Sequence, residues 1–513
     1  MPAPSSEPEK YSIDEIMDRL QATPQGSAEE GKLVTRADGS QAIRVRTRKR
    51  RSSQPQKDEQ KRLRNTRMMQ VSAALVLVLG SALAVGAGIV YANSSPFREA
   101  LMEKISRTSG ATVELEQFRM NPQTANSGKL ALKWPEGNVI RDLSLRGLTA
   151  EIYPISFLGR AMTGQEVGIA EGTISLQLPS PGNPHRNLPA DDGKDPDVRF
   201  NRYRTSLFHA IVGDPAAPLI KLHGSEASLN PSGINGRPQM TLYRGDVKIV
   251  GWPQFQLDRA LFEFRGRETD IIGIRLFEDQ DERGALELSG TVYPYQPERL
   301  STLSVRLDAF DLAGIAGPEM GRLFSGRIET LSAAESNFLS FKSSSDASPI
   351  LDLTFRVSPT SKVEIRGFPF LFALSRMLDD EWFESPAFEA DAEAIFRNEN
   401  GTISLRDLNF VSKGRMALMG NVTMAPDLTL SGELQVGIAD TMIASMKDPR
   451  LNTIFPDSAD GFQWITLQIS GSSKAPADQF KDILAAALAT PETETTAPPA
   501  GAGSTFEELT RPR

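Results

Sequence analysis

The chain has 513 residues, with 57 Lys or Arg against 65 Asp or Glu, and a formal net charge of −8. It contains no cysteine and only three histidines, which excludes disulfides, thiolate metal sites and a thiol nucleophile. Its basic residues crowd before residue 68 and leave the remainder acidic, which argues against nucleic acid as a partner, since phosphate binding requires a basic face.

Residues 1–68 are polar with few aromatics, the composition of a disordered arm. Residues 11–20 are the exception. There Ile13, Ile16, Met17 and Leu20 fall at helical spacing, and Ser12 with Glu15 has the pattern of a capping box. A helix this short is marginal alone. These four residues are therefore candidates for docking a cytoplasmic partner, set against a transient helix with no client.

A dense Lys/Arg run over 44–67 precedes residues 69–91, which carry no charge. As a helix, those residues are long enough to cross the roughly 30 Å core of a bilayer. Lys and Arg accumulate on the cytoplasmic flank, so the expectation is a single-pass protein of the bacterial inner membrane, arm in the cytoplasm and bulk in the periplasm. Val90-Tyr91-Ala92 offers a small-residue cleavage site, but signal-peptide cores run to about 7–15 apolar residues. The stretch reads as a retained transmembrane helix.

Residues 96–109 place Phe97, Leu101 and Ile105 on one helical face before Gly110, which suits a C-terminal cap. From there to about residue 490 the texture turns to period two, the pattern of half-buried strands separated by Gly, Pro, Asn and Asp turns. Helical spacing returns at 201–212, 368–382 and 479–489. Residues 179–198 form a Pro/Gly/Asp loop, and the tail 491–513 is low-complexity and expected to be disordered. Two β-rich regions are expected, 92–270 and 271–490. In the second, RGALELSGTV (283–292) corresponds to KGRMALMGNV (413–422), and the strands before each also match, DIIGIRLFED with TISLRDLNFV. Recurring strand–Gly–strand units suggest a sheet built by repetition.

The fold class expected is mainly β: one N-terminal transmembrane helix, then an elongated, curled antiparallel β-sheet, groove or sandwich, with a few short helices. One face of such a sheet is apolar and must be covered. A closed sandwich would do so with protein. An open groove would do so with lipid, and then Leu286, Leu288 and Val292 of the first unit and Met416, Leu418 and Val422 of the second are the candidate lipid-facing residues.

No constellation for catalysis, cofactor or metal emerges. His185, His209 and His223 have no metal-ligand spacing and read as surface or packing residues. There is no G-x-S-x-G elbow, phosphate-cradling loop or H-E-x-x-H. Asp191, Asp192, Asp195 and Asp197 lack the spacing of a Ca²⁺ loop. Glu278, Asp279, Asp281 and Glu282 read as an acidic hairpin turn, and Asp379, Asp380, Glu381 and Glu384 surround Trp382 at a helix end.

The arrangement resembles the AsmA-like family of envelope proteins. The resemblance rests on the cytosolic start and single anchor, the helix 96–109 leading into SGATVELEQF, the paired strand segments of 138–178, and the end region 402–476 with ISLRDLNFVSKGRMALMGNVTMAPDLTLSGELQV and LQISGSSKAP. It implies an inner-membrane-anchored, non-enzymatic β-groove with an apolar lining that guides phospholipid or another envelope lipid in outer-membrane homeostasis. The basic arm is longer than that family usually shows. About 25 strands at 4.7–4.9 Å would make a ladder on the order of 120 Å. The rival readings are a structural or assembly protein with closed β domains and a transmembrane signalling protein whose arm docks a partner.

Overall fold

The computed structural model describes residues 32–35, 37–39, 41–44, 74–154, 162–178, 198–233, 236–278, 283–331, 337–344, 349–389, 392–446 and 453–489. The chain divides into two compact units, Met1–Leu83 and Ala84–Arg513. In the first, Lys32–Thr35 pairs antiparallel with Gln41–Arg44, Leu33 opposite Ile43, around a turn in which Gly39 takes a φ of 82°. Composition pointed to disorder in the arm outside residues 11–20; apolar residues flanking an Asp-Gly turn are enough for this local hairpin. The docking candidates Ile13, Ile16, Met17 and Leu20 lie outside the described residues, as do 45–73 and the tail. Ala74–Ala92 is, among the described residues, the one helix long and apolar enough to cross a membrane, and none of its apolar window is buried.

In the second unit the end of that helix is followed by the helix Ser95–Ser109, with Pro96 in its first turn and Gly110 as its left-handed cap at φ 69°. This agrees with the sequence: proline lacks a donor where none is needed, and glycine ends the last turn without a Cβ clash. Just before it, the Asn93 side chain acts like a strand residue. Its Nδ2 donates to the Met120 carbonyl at 2.7 Å, and its Oδ1 accepts from the Met120 N–H at 2.8 Å.

From Thr112 the chain builds one large mixed sheet. Thr112–Glu116 and Arg119–Met120 share the edge beside Thr124–Lys133, followed by Ile140–Ile152 and Met162–Leu176. Antiparallel pairing was expected throughout. Here the sheet departs from it, because Met162–Leu176 pairs in parallel with Val198–Asp214. Parallel neighbours require the chain to return to the same strand end, and most of that return, 179–197, lies outside the described residues. Val198–Asp214 is itself a correction, since 201–212 was expected to be helical. Its Phe208 and Ala210 share the face of Leu222, while Leu207 and Ile211 point to the other. Apolar residues on both faces of a strand mimic helical spacing.

Beyond it come Ala217–Asn230, Gln254–Arg265, Glu268–Phe277, Ala285–Val292 and Leu300–Asp308. Gln239–Tyr243 and Asp246–Ile249 are collinear halves of one row, because both pair with Ala217–Asn230 and with Gln254–Arg265. Such row-sharing makes the ladder shorter than a count of strands suggests. The ladder crosses residues 270 and 271 without a break, inside the strand Glu268–Phe277. It continues through Phe338–Lys342, Ile350–Val357, Glu393–Glu399, Thr402–Ser412, Met416–Met424 and Leu430–Ala439 to Phe462–Ser472. The outer edge of that last long strand is flanked by Asp457–Ala459 and Ala475–Ala477, and Gln479 Oε1 accepts from the Gln468 N–H at 3.0 Å.

The repeat is visible in three dimensions. Glu268–Phe277 and Thr402–Ser412 each carry an irregularity against the next strand, and both units end in a helix, Leu312–Gly321 in one and Asp440–Ala444 in the other. The matching glycines Gly290 and Gly420 take φ values of 147° and 123°, and a Cβ there would sit 2.5 Å from the Thr302 carbonyl oxygen or 2.1 Å from that of Glu433. Only glycine lets the neighbouring strand approach so closely. Gly414, at φ 76°, has open space around it. We expect Gly420→Ala to cost about 3 kcal/mol or more, as a strained backbone adds to a clash, and Gly414→Ala only about 1–2 kcal/mol. Urea titration of the two variants checks the difference.

Candidate functional site

Residues opposite each other on adjacent strands share a face of the sheet, so the registers trace what each face carries. One row runs Val113, Leu132, Leu143, Ile174, Ala210, Leu222, Val247 and Phe255. A second runs Leu148, Ile169, Thr205, Ala227, Leu242, Ala260, Ile274, Leu288 and Val305. A third runs Ala150, Val167, Tyr203, Leu229, Met240, Phe262 and Ile271. These rows make a continuous apolar inner face. The opposite face is charged, with ion pairs Lys129–Glu116 at 3.0 Å and Arg146–Glu171 at 3.4 Å.

How that face is covered changes along the ladder. No α-helix interrupts the described chain between Gly110 and Asp311. In this stretch Leu143, Leu145, Leu148, Ile174, Met240, Phe262, Ile274 and Leu288 are half-buried, interleaved with the buried Leu132, Ile169, Leu222, Leu242, Phe255 and Ala260 of the same rows. Full burial of such a side chain is worth about 1.5–3 kcal/mol. Most of each side chain is already out of water, so only a fraction of that remains unrealised.

Past Leu303 the face is sealed by protein. Leu312–Gly321 contributes Leu312, Ile315, Ala316 and Met320 to the core, Pro369–Leu378 contributes Phe370, Leu371 and Leu374, and Phe480–Ala489 contributes Phe480. Phe355, Phe368, Phe388, Phe396 and Phe410 have no exposed surface at all. Asp478 ties two of these helices down. Its Oδ2 accepts from the Phe370 N–H at 2.9 Å and its Oδ1 from the Phe480 N–H at 3.0 Å, placing one carboxylate at two helix N-termini, where negative charge is favoured.

The candidate residues from the sequence divide between these environments. Met416, Leu418 and Val422 are completely buried and Leu286 nearly so, in the same core as the sealing helices. Leu288 and Val292 are half-buried, and Leu288 lies on the second row of the open stretch. The candidates were taken from the repeat, and the earlier strands of KLALKW and LSLRGLTAEIY carry the same alternation.

The membrane-type helix ends at one corner of this face. Ala92 is buried in a cluster with Met120, Ala125, Ala150, Ile152, Val167, Ile169 and Phe200. Tyr91 packs edge-on against Phe97 at 5.7 Å, and Phe97 stacks on Phe118 at 6.2 Å. A shallow depression of about 500 Å³ opens there between Asn93, Phe118, Arg119, Met120, Asn121 and Asn126.

The polar candidates have structural partners. His209 and His223 stack at 4.5 Å across adjacent strands; His209 Nδ1 accepts from the Gly224 N–H, and partial burial followed by the neighbouring His223 holds His209 below the usual imidazole pKa. His185, the four aspartates of 191–197, Asp279, Asp281 and Glu282 lie outside the described residues. Asp380 caps the 3-10 turn Glu381–Glu384 by accepting from the Trp382 N–H at 2.9 Å, and Arg415 sits 4.9 Å over the Trp382 ring. Among the described residues no three His, Asp or Glu side chains gather as metal ligands. Comparison with protein-family models, curated proteins and solved structures found no match to this chain.

The two environments predict different responses to a charge. Leu418→Asp places an unpaired carboxylate in a sealed core, costs several kcal/mol and should abolish cooperative melting. Leu145→Asp, on the half-buried stretch, should lower Tm by only a few degrees. Circular dichroism melts of both variants decide it, and equal loss in the two would mean the first half of the face is as closed as the second.

Proposed function

We propose that this is a non-enzymatic, single-pass protein of the bacterial inner membrane, arm in the cytoplasm and bulk in the periplasm, that binds or guides envelope lipid along an apolar β-face in the manner of AsmA-like proteins. The observation that carries the reading is continuity. A bare apolar helix runs to Ala92, and Ala92 is packed into the corner of a half-buried apolar face. A helix in a bilayer would hold that corner beside acyl chains, and the face offers hydrocarbon without converging polar groups, which suits chains more than headgroups. The Lys/Arg excess at 44–67 supports the orientation.

A second reading has its own support: the sealed core around Met416, Leu418 and Val422 is what a structural or assembly protein with closed β domains would have.

Two measurements test the proposal. Alkaline phosphatase fused after Pro491 should be active in a bacterial host; activity only from fusions before Met68 would reverse the topology. Full-length protein purified from membranes should retain phospholipid beyond that of an unrelated single-pass protein in the same detergent, and Leu145→Arg with Phe262→Arg should remove most of the excess. No excess lipid on the parent would leave the closed-domain reading standing.

A further inference from the structure

We propose that the corner of the sheet beside Ala92 is a seat for a phospholipid headgroup, in which the Arg119 guanidinium, with the side-chain amides of Asn121 and Asn126, holds the lipid's phosphate. The inference rests on the single-pass reading above. It does not rest on lipid along the apolar face, since it concerns a headgroup at the membrane surface and not acyl chains.

Height is the first argument. The apolar helix ends at Ala92, and the next residue is locked to the sheet. Asn93 Nδ2 donates to the Ile89 carbonyl in the last turn of that helix and to the Met120 carbonyl, each at 2.7 Å. Its Oδ1 accepts from the Met120 N–H at 2.8 Å. One side chain thus caps the helix and pairs with the strand Arg119–Met120, so Arg119 stands one Cα step, about 3.8 Å, from a residue bonded to the helix end. Tyr91, 59% exposed, supplies at the same level the amphipathic ring favoured at a membrane–water interface. Where the helix leaves hydrocarbon, Arg119 is at the level of lipid phosphate.

Chemistry is the second. Arg119 is exposed, and among the described residues no carboxylate pairs with it. Its row on the outer face runs Arg119, Asn126, Thr149, Gly168 and Arg204 and carries no acid. Elsewhere on that face the cations are matched, Lys129 by Glu116 and Arg146 by Glu171. Asn121 commits its Oδ1 to the Gln123 and Thr124 N–H groups at 3.0 and 2.8 Å, which leaves its Nδ2 donors for a ligand. A permanently charged, planar guanidinium without a carboxylate partner fits two oxygens of a phosphate. The depression of about 500 Å³ lies between these side chains, and Asn93 forms part of its wall. Because that wall is the residue that ends the membrane-type helix, the phosphate is that of a bilayer lipid and not a free ion.

The test uses the intact chain in nanodiscs of phosphatidylethanolamine and phosphatidylglycerol. A photoreactive p-benzoylphenylalanine is placed at Gln123, exposed at the tip of the same hairpin, or at Val85 in the helix, and mass spectrometry counts phospholipid adducts after illumination. We expect adducts at both positions. Arg119→Gln should cut those at Gln123 about fivefold, Arg119→Lys should keep about half or more, and neither should change those at Val85. Both variants should melt with the parent. Unchanged adducts at Gln123 in Arg119→Gln, or none at Gln123 while Val85 still labels, would overturn the seat and leave the membrane helix standing. No labelling at Val85 would overturn the single-pass reading with it. Adducts at Gln123 abolished by inorganic phosphate would reassign the site to the free ion.

Discussion

A sheet with one apolar face cannot stay bare in water, and nearly everything in the second unit follows from that constraint. The alternation that makes strands also makes the face, and the face demands a cover. The chain meets the demand in two ways. After Leu303 it spends three helices and a dense set of phenylalanines on closing the interior. Before Leu288 no α-helix lies among the described residues from Gly110 on, and buried residues such as Leu222, Leu242 and Phe255 alternate with half-buried ones such as Leu145 and Phe262.

Fastening is done by side chains at the points where backbone pairing stops. Asn93 gives Met120 both bonds of a ladder partner, although the chain at Asn93 is leaving a helix. Asp478 serves two helix N-termini at once. Glu278 joins a hairpin end, a helix start and an arginine from a later strand. Each spans elements distant in sequence, so each fixes an arrangement that local propensity leaves free.

Local features were legible in the sequence and long-range ones were not. Pro96 and Gly110 bracket the first helix because both act through their own backbone. The alternating segments from ATVELEQF to FQWITLQISG all became strands for the same reason: pleating and burial are written in neighbours. The helix expected at 201–212 failed because Leu207, Phe208, Ile211 and Val212 fit a strand with apolar residues on both faces equally well. Leu312–Gly321 was passed over because Gly314, Gly317 and Pro318 lower helix propensity, and only Asp311 before Leu312 marked its start. The parallel joint between Met162–Leu176 and Val198–Asp214 has no local signature. Nor does the difference in burial between Leu288 and Leu418, which occupy matching places in a repeat and differ in what is packed over them.

The edge of Phe462–Ser472 has a consequence for assembly. An unpaired strand edge is a template on which another chain can crystallise in register. This one is occupied in pieces, by Asp457–Ala459, by Ala475–Ala477 with its Pro476, and by the Gln479 side chain on Gln468. The ladder therefore has a chain terminator at its last strand. That end is thus blunted against pairing with another chain, whereas at the opposite end Thr112–Glu116 has a strand on one side only among the described residues.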